Sequence, residues 1–386
     1  MADLLFTTDA FEAQGRQVPG IPMLLDHEMR LIEPACSWLL HISLIRGRTR
    51  SRQTWRTYGE ALYDWWQTLE ANGWSWDSVR FHEVAAYRDR MLTSRSEHTG
   101  RPFARATING RLRTIAQFYR WSVDHGLIDS APFSSEDVSV ARWRPAPALV
   151  HIDARGGIQS ANALLLREHS TLPKPMPPAD IRRILQGRTA RDRLIIEWAA
   201  LTGMRRMEIA GLERSSISGS QTRDAGGSQI VPVRLTTTKG DRSRLVYPPL
   251  RLVDRTLAYV REERAVIVRR ARERDPDYQE PEQVFITLRG TKMSPRRIGA
   301  MFSDAAHKAE VDATFHSLRH TFAGVMLRTL QRQAIDHPEM NPLLALQTIL
   351  GHADLATTAI YLRMVAIDLE AVELALDDLF DLTQPV

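Results

Sequence analysis

The sequence contains a single cysteine, Cys36, and therefore supports neither an intramolecular disulfide nor a cysteine-based metal site. It also lacks any run of about 18 uncharged apolar residues, which excludes a membrane-spanning helix and a membrane partner. The N-terminus carries Asp3 where a secretory signal would be basic, and no apolar segment of useful length follows it. These absences predict a cytoplasmic protein in a reducing compartment.

The composition excludes a disordered or collagen-like chain. Of the 386 residues, 43% are hydrophobic and 25% are charged, as in an ordinary globular protein. This length is sufficient for two domains with buried cores.

Charge is distributed unevenly along the chain. The net charge is +5, but residues 366–386 contain six acidic and no basic residues, which leaves +11 for residues 1–365. A basic body with an acidic tail favours a polyanionic partner such as nucleic acid. Many globular proteins carry a similar charge, so composition alone does not decide the function.

The first part of the chain is predicted to be an all-α domain over residues 26–130. Residues 1–25 show no periodicity and are predicted to form an extended or mobile N-terminal arm. Apolar residues then recur at helical spacing in four segments without a strand signal. These segments lie at about residues 25–45, 53–70, 81–92 and 105–123.

Residues 131–172 are rich in proline and glycine and are predicted to be a linker, with a short helix near residues 161–167. A mostly α second domain follows over residues 173–365. Two β-prone runs on either side of Lys239-Gly-Asp predict one small antiparallel hairpin in that domain. The predicted fold class is therefore mainly α, with one small β element.

The second domain carries the residue types that would break a DNA phosphodiester without metal or nucleotide. Such a reaction needs a nucleophile, fixed cations for the phosphate oxygens and a proton donor for the leaving oxygen. Arginine binds two phosphate oxygens at once, and histidine or lysine can move a proton. Histidine and acidic residues form no dense cluster in the sequence, so we predict no metal ion and no cofactor.

Four motifs hold these residues in order along the chain. They are Thr202-Gly-Met-Arg205, Thr238-Lys239-Gly, His316-Ser-Leu-Arg319 and Leu350-Gly-His352, with Tyr361 nine residues after the last histidine. Each residue taken alone is typical of an ordinary surface, cap or core position. All of them together in this order are not expected by chance.

This order resembles the tyrosine site-specific recombinases, or phage integrase family, over about residues 173–365. The first domain looks like the core-binding domain of that family. The resemblance implies that Arg205 and Arg319 clamp the scissile phosphate and that Lys239 protonates the 5′-oxygen leaving group. It also implies that Tyr361 attacks phosphorus, which gives a 3′-phosphotyrosyl link and a free 5′-hydroxyl without ATP.

The remaining site residues have supporting roles in the resemblance. His316 would act as general base or phosphate ligand, and His352 would hydrogen-bond a non-bridging oxygen. Glu208 would support the helix that carries the first arginine, and His320 would at most support the site from behind. Arg206 is expected on another helix face and receives no role.

The resemblance further implies double-stranded DNA with a specific recombination site as the partner, gripped by a C-shaped clamp of the two domains. Arginines of the first domain are expected at phosphates or grooves, and a threonine and an asparagine at base edges. The predicted DNA-binding residues are Arg52, Arg56, Arg105, Thr107, Asn109, Arg111 and Arg113.

Assembly is also implied by the resemblance. The chain would be a homotetramer on DNA and a monomer or weakly associated when free, with DNA-bending or directionality factors as accessory partners. Residues 366–386 show an apolar stripe at helical spacing and are predicted to be an acidic helix for protomer docking, in cis or in trans. Residues 328–342 form an insertion relative to the family pattern that leaves both flanking motifs intact.

Several functions use this chemistry. We expect a recombinase that acts through a Holliday junction and serves as the integrase of a mobile element. A chromosome or plasmid dimer resolvase, an enzyme that inverts a DNA segment, a type IB topoisomerase-like enzyme and a DNA-binding protein with a vestigial site are the alternatives.

Overall fold

The computed structural model of the chain separates into two compact units, Met1–Ser170 and Thr171–Val386. Helices are the main secondary structure of both units, which confirms the mainly α fold class. No helix in the described part of the chain is long and apolar enough to cross a membrane. The residues described are 1–13, 15–46, 51–96, 100–139, 158–168, 175–217, 230–236, 243–351, 357–358 and 361.

The N-terminal segment is folded, so the prediction of an extended or mobile arm over residues 1–25 is wrong. Its short strands form two antiparallel pairs: β1 (Asp3–Phe6) with β4 (Pro22–Leu25), and β2 (Glu12–Ala13) with β3 (Arg16–Gln17). Ala2, Ile21 and Leu24 are buried. Gly59 of the second helix admits Pro22, because a Cβ at Gly59 would lie 2.4 Å from the proline Cβ. The segment escaped prediction because its strands are too short for a period-2 pattern.

The described part of the first unit contains four α-helices, close to the segments that periodicity predicts. They are α1 (Glu33–Leu40, continued by a π turn over His41–Ile45), α2 (Arg52–Asn72), α3 (Phe81–Thr93) and α4 (Arg105–Asp124). Their apolar faces meet in an aromatic core, where Trp65 packs edge-on against Tyr87 and Phe118 packs against Trp38. Gly73 ends α2 in the left-handed conformation, as its sequence predicts.

Part of the predicted linker belongs to the first unit. Strands β5 (Ser135–Ser139) and β6 (Ile158–Asn162) form an antiparallel pair, and Leu164 is buried in the first core. The short helix predicted near residues 161–167 is absent from the described structure, because residues 158–162 pair as a strand instead.

The second unit is an assembly of helices with one two-stranded hairpin. Its elements are α5 (Pro178–Leu185), α6 (Ala190–Thr202), α7 (Arg206–Ala210), β7 (Val233–Leu235), β8 (Arg244–Val246), α8 (Leu250–Tyr259), α9 (Ala265–Arg274), α10 (Pro295–Lys308), α11 (Phe315–Asp336) and α12 (Pro342–Leu350). A π turn over Val260–Arg264 joins α8 to α9. The hairpin pairs Val233 with Val246 and Leu235 with Arg244.

The central helix α6 determines where the site lies. Most of its apolar side chains are buried, and Trp198 Nε1 donates to Thr256 Oγ1 of α8 (2.9 Å). Gly203 ends the helix at φ +65°, and a Cβ there would lie 2.6 Å from the Phe322 ring of α11. Only glycine meets both conditions, so the chain turns sharply just before Arg205.

Candidate active site

Arg205 stands at the start of α7 and is fixed there by Glu208. The backbone N–H of Arg205 donates to Glu208 Oε2 (2.7 Å), and its Nη1 donates to Oε1 (3.0 Å). Glu208 is 1% exposed, whereas Arg205 keeps part of its surface accessible. The predicted supporting role of Glu208 therefore has a geometric basis.

A second arginine on Glu208, Arg244 of β8, was missed by the sequence analysis. Its Nε donates to Oε1 (3.1 Å) and its Nη2 to Oε2 (2.8 Å) of Glu208, while its Nη1 donates to the Ile349 carbonyl (2.8 Å). Arg244 thus ties the hairpin to α7 and to the end of α12. In the sequence, Arg244 is simply an arginine at the start of a β-prone run. Its surroundings there do not distinguish it from an arginine that is exposed to solvent.

This network explains the ionisation of the buried glutamate. Burial alone would raise the pKa of Glu208, but the hydrogen bonds and charge of Arg244, followed by those of Arg205, hold its pKa below the ordinary value. The carboxylate is therefore charged at neutral pH and keeps both arginines in place.

We expect Arg244→Ala to lower the free energy of unfolding by about 3 kcal/mol, because removing one partner of a buried ion pair leaves the other charge poorly compensated. Urea unfolding of the full chain measures this change. The control is Arg183→Ala, which breaks the exposed Arg183–Asp180 pair (2.7 Å) and is expected to cost about 0.5 kcal/mol. Equal costs for the two variants would contradict the structural role of Arg244.

Arg319 is the buried centre of the site. It is 1% exposed; its Nη1 donates to the Gly203 carbonyl and its Nη2 to the Leu350 carbonyl (2.8 Å). Burial and the neighbouring charges of Arg205 and Arg244 lower its pKa to about 9, so it is still a cation at neutral pH. Two of the five guanidinium donors are held by backbone carbonyls, which fixes the side chain in the site.

The two histidines of α11, His316 and His320, pack against each other, and His320 contacts Tyr361. The His316 and His320 rings are 4.4 Å apart between centroids, and His320 Nδ1 lies 3.0 Å from Tyr361 Oη in a hydrogen bond. Loss of water around part of the exposed His316 ring, then the charges of Arg319 and Arg205, lower the pKa of His316. Burial, His316 and Arg319 lower the pKa of His320 to about 4.

Tyr361 is buried among apolar residues of α11 and α12, with 2% of its surface exposed. Burial raises the pKa of its phenol, while the positive charges of Arg319 and Arg205 act in the opposite direction. The side chain is therefore a neutral phenol at pH 7, close enough to both arginines to sense their charge.

We expect His320 to weaken the fold in acid. Its pKa is about 4 in the folded chain against an ordinary 6.5, so the unfolded chain binds more protons between these values. The free energy of unfolding must therefore fall as the pH drops from 6.5 towards 4. Urea unfolding at a series of pH values should show a shallower fall for His320→Asn, whose amide can still reach Tyr361 Oη. An identical pH dependence in both chains would refute this assignment.

Two predicted catalytic residues, Lys239 and His352, lie outside the described residues, as does the acidic tail 366–386. The flanking hairpin strands and Gly351 are described, and Gly351 ends α12 at φ +62°. Most of the predicted insertion 328–342 is helical, because α11 continues to Asp336.

Asn109 does not fit its predicted base-reading role. It is 1% exposed, its amide donates to the Leu166 carbonyl (2.8 Å) and Glu168 (2.7 Å), and its carbonyl accepts from the Leu166 N–H (2.8 Å). Arg113 pairs with Glu168 (3.3 Å), and Arg105 donates to a backbone carbonyl of the same segment (3.0 Å). The prediction for Asn109 is corrected because its polar atoms fasten residues 163–168 to α4.

Two other predicted arginines also have intramolecular partners. Arg111 lies 2.7 Å from Asp64 and stacks on the Phe103 ring, and Arg56 lies 3.1 Å from Glu60. Arg52 and Thr107 are exposed at the first turns of α2 and α4. Arg56, Arg105 and Arg113 are also exposed, although each has an intramolecular partner.

No group of three or more histidine, cysteine or acidic residues suited to a metal ion occurs among the described residues. The site instead gathers cations, two histidines and a phenol in the second unit. Such a set can bind a phosphate, supply a nucleophile and move a proton.

Comparison with known proteins locates relatives of both units. Residues 175–366 match the model of the phage integrase family. Tyrosine recombinase XerD of Lacticaseibacillus casei is 26% identical over 270 residues, which covers 69% of this chain and 75% of that protein. Tyrosine recombinase XerA of Pyrococcus furiosus is 30% identical over 215 residues, which covers 53% of this chain and 63% of that protein.

Solved structures show the same fold at low sequence identity. The XerH site-specific recombinase bound to palindromic difH substrate aligns with a TM-score of 0.52 and 16% identity, over 87% of this chain and 84% of that one. A lambda integrase dimer bound to a COC′ core site aligns with a TM-score of 0.53 and 14% identity, over 84% of this chain and 94% of that one.

Proposed function

The chain belongs to the phage integrase family, and we propose from this premise that it is a site-specific DNA recombinase acting through a covalent tyrosyl intermediate. The observation that carries the proposal is the meeting of Arg205, Arg319 and Tyr361 in one site, where both guanidinium charges act on the phenol. Two fixed cations beside a nucleophile suit attack on a phosphodiester.

In the proposed reaction, Arg205 and Arg319 hold the non-bridging oxygens of the scissile phosphate. Tyr361 Oη forms a bond to phosphorus while the bond from phosphorus to the 5′-oxygen breaks, and His316 accepts the phenol proton. Lys239 gives a proton to the 5′-oxygen, and His352 hydrogen-bonds a phosphate oxygen. The 3′-phosphotyrosyl ester conserves the bond energy, so a new 5′-hydroxyl can displace Tyr361 without ATP.

The hydrogen bond to His320 bears on the first step. Tyr361 Oη is buried and bound to His320 Nδ1 in the structure. DNA binding must therefore expose this oxygen before it can attack phosphorus. His320 is proposed to hold the phenol until that moment and to take no part in bond making.

Partner and assembly belong to the same proposal. The substrate is double-stranded DNA with a recombination site, bound by four protomers that exchange strands through a Holliday junction. Arg52, Arg56, Arg105, Thr107, Arg111 and Arg113 are proposed contacts of the first unit with this DNA. We propose that the chain is the integrase of a mobile element. The alternative is the resolution of chromosome or plasmid dimers, and the identity of the joined DNA products distinguishes the two roles.

Suicide-substrate trapping tests the proposal. Nicked duplexes that tile the DNA flanking the gene are incubated with the full chain in EDTA, and a denaturing gel is examined for covalent protein–DNA adducts. An adduct in EDTA supports the metal-free tyrosyl mechanism. Specific binding without any adduct would favour a vestigial site. In a second assay on a supercoiled plasmid that carries the bound sequence, relaxed circles without junction products would favour a topoisomerase.

A further inference from the structure

Arg206 lines a cleft in the second unit. The cleft has a volume of about 540 Å³ and lies between α7, the first half of α10 and the start of α11. Arg205 and His316 line the same cleft, together with Gly299 and Thr314. Arg206, which is expected on another helix face than Arg205, thus lines one cleft together with Arg205 and His316.

Within the part of the chain that the structure describes, no carboxylate neutralises the charge of Arg206. Arg205 is paired with Glu208, but Arg206 is exposed and has no ion pair within the described ranges. None of the described residues that line the cleft is acidic. The charge of Arg206 contributes to the lowered pKa of His316, after burial, Arg319 and Arg205, which places its guanidinium near the catalytic histidine.

Gly299 provides the space that Arg206 occupies. A Cβ built at Gly299 would lie 2.4 Å from Arg206 Nη1, so any larger residue would displace the guanidinium. Glycine destabilises the interior of a helix such as α10 relative to alanine, and the space required by Arg206 accounts for a glycine at this position. Arg296 and Arg297 are both exposed on the first turn of α10 and add positive charge to that helix.

We propose that Arg206 binds a second phosphate of the DNA strand, next to the scissile phosphate, and that Gly299 keeps the guanidinium in the cleft. This inference rests on the proposed function, because it takes DNA as the ligand. Successive phosphates of one strand follow every ~3.4 Å of helix axis, so consecutive arginines can serve neighbouring phosphates. An unpaired arginine in a cleft without carboxylates suits this ligand because its fork binds two phosphate oxygens.

The test is the salt dependence of binding to a fluorescent duplex of about 30 base pairs and random sequence, measured between about 50 and 200 mM KCl. Loss of one phosphate contact makes the slope of log K against log salt shallower by about 1. We expect this change for Arg206→Ala and for Gly299→Ala. The double variant should equal Arg206→Ala, because Gly299 acts only through the arginine.

Two further variants separate charge from structure. Arg206→Lys should keep a slope close to that of the wild type, because lysine retains the charge at the cleft. Arg270→Ala removes an exposed arginine of α9 outside the cleft and should leave the slope unchanged. A wild-type slope in Arg206→Ala, or an effect of Gly299→Ala that persists without Arg206, would overturn the proposal.

The binding measurement is independent of strand cleavage. A slope that depends on Arg206 in a chain that never forms an adduct would support a DNA phosphate contact of Arg206 but refute the recombinase proposal, and with it the position of that phosphate next to a scissile one. If the chain forms an adduct but Arg206→Ala leaves the slope of log K against log salt unchanged, the recombinase proposal is supported and the phosphate contact of Arg206 is refuted.

Discussion

Tyr361→Phe is expected to abolish the covalent adduct on nicked DNA while DNA binding stays near the wild-type level. The substitution removes only the oxygen that attacks phosphorus and leaves the ring in its apolar surroundings on α11 and α12. The hydrogen bond to His320 is lost with that oxygen. Adduct formation is measured on a denaturing gel and binding in a gel shift.

The matched control is Tyr259→Phe, the same chemical change at another buried tyrosine of the second unit, on α8. Its adduct should form at the wild-type rate. If the Tyr361→Phe variant still forms a covalent adduct with DNA, Tyr361 is not the nucleophile and the proposed reaction is wrong.

Arg205→Ala is expected to slow single-turnover cleavage by about 10²–10³, the usual cost of removing one transition-state donor. The fold should survive, because Arg244 still contacts both oxygens of Glu208 at 3.1 and 2.8 Å. The loss therefore measures the phosphate clamp itself. Cleavage is followed at saturating DNA, so that weaker binding does not enter the rate.

Arg206→Ala provides the comparison for this rate. It removes the next arginine along the chain, which we assign to a neighbouring phosphate, and should leave cleavage at saturating DNA far less affected than Arg205→Ala. A loss below about tenfold for Arg205→Ala would remove Arg205 from the clamp.

Most helices of both units could be predicted because their signals are local. The α2 pattern ends at Gly73, and Pro178 begins α5 as a residue suited to the first helical turn. The short strands near the N-terminus could not be predicted, because their pairing depends on contacts with α2 rather than on their own sequence.

Side-chain environments were the least predictable part of the site. Arg244 contacts a carbonyl 105 residues away, and nothing around it in the sequence distinguishes it from a surface arginine. Asn109 looked like a polar residue on a basic helix edge, yet its amide fastens a segment 57 residues further along the chain. Such long-range contacts depend on how distant segments pack together. They cannot be predicted from the pattern of residues on a single helix face.

The sequence by itself determined the order and identity of the chemical groups: Arg205, the His316–Arg319 helix turn and Tyr361, with the glycines that end α6 and α12. Only the tertiary structure decided that Glu208 holds two arginines, that Tyr361 is buried against His320, and that Arg206 faces the cleft. The physical reason is that residue type and local spacing are written along the chain, whereas burial, pairing and charge compensation arise when distant segments pack together.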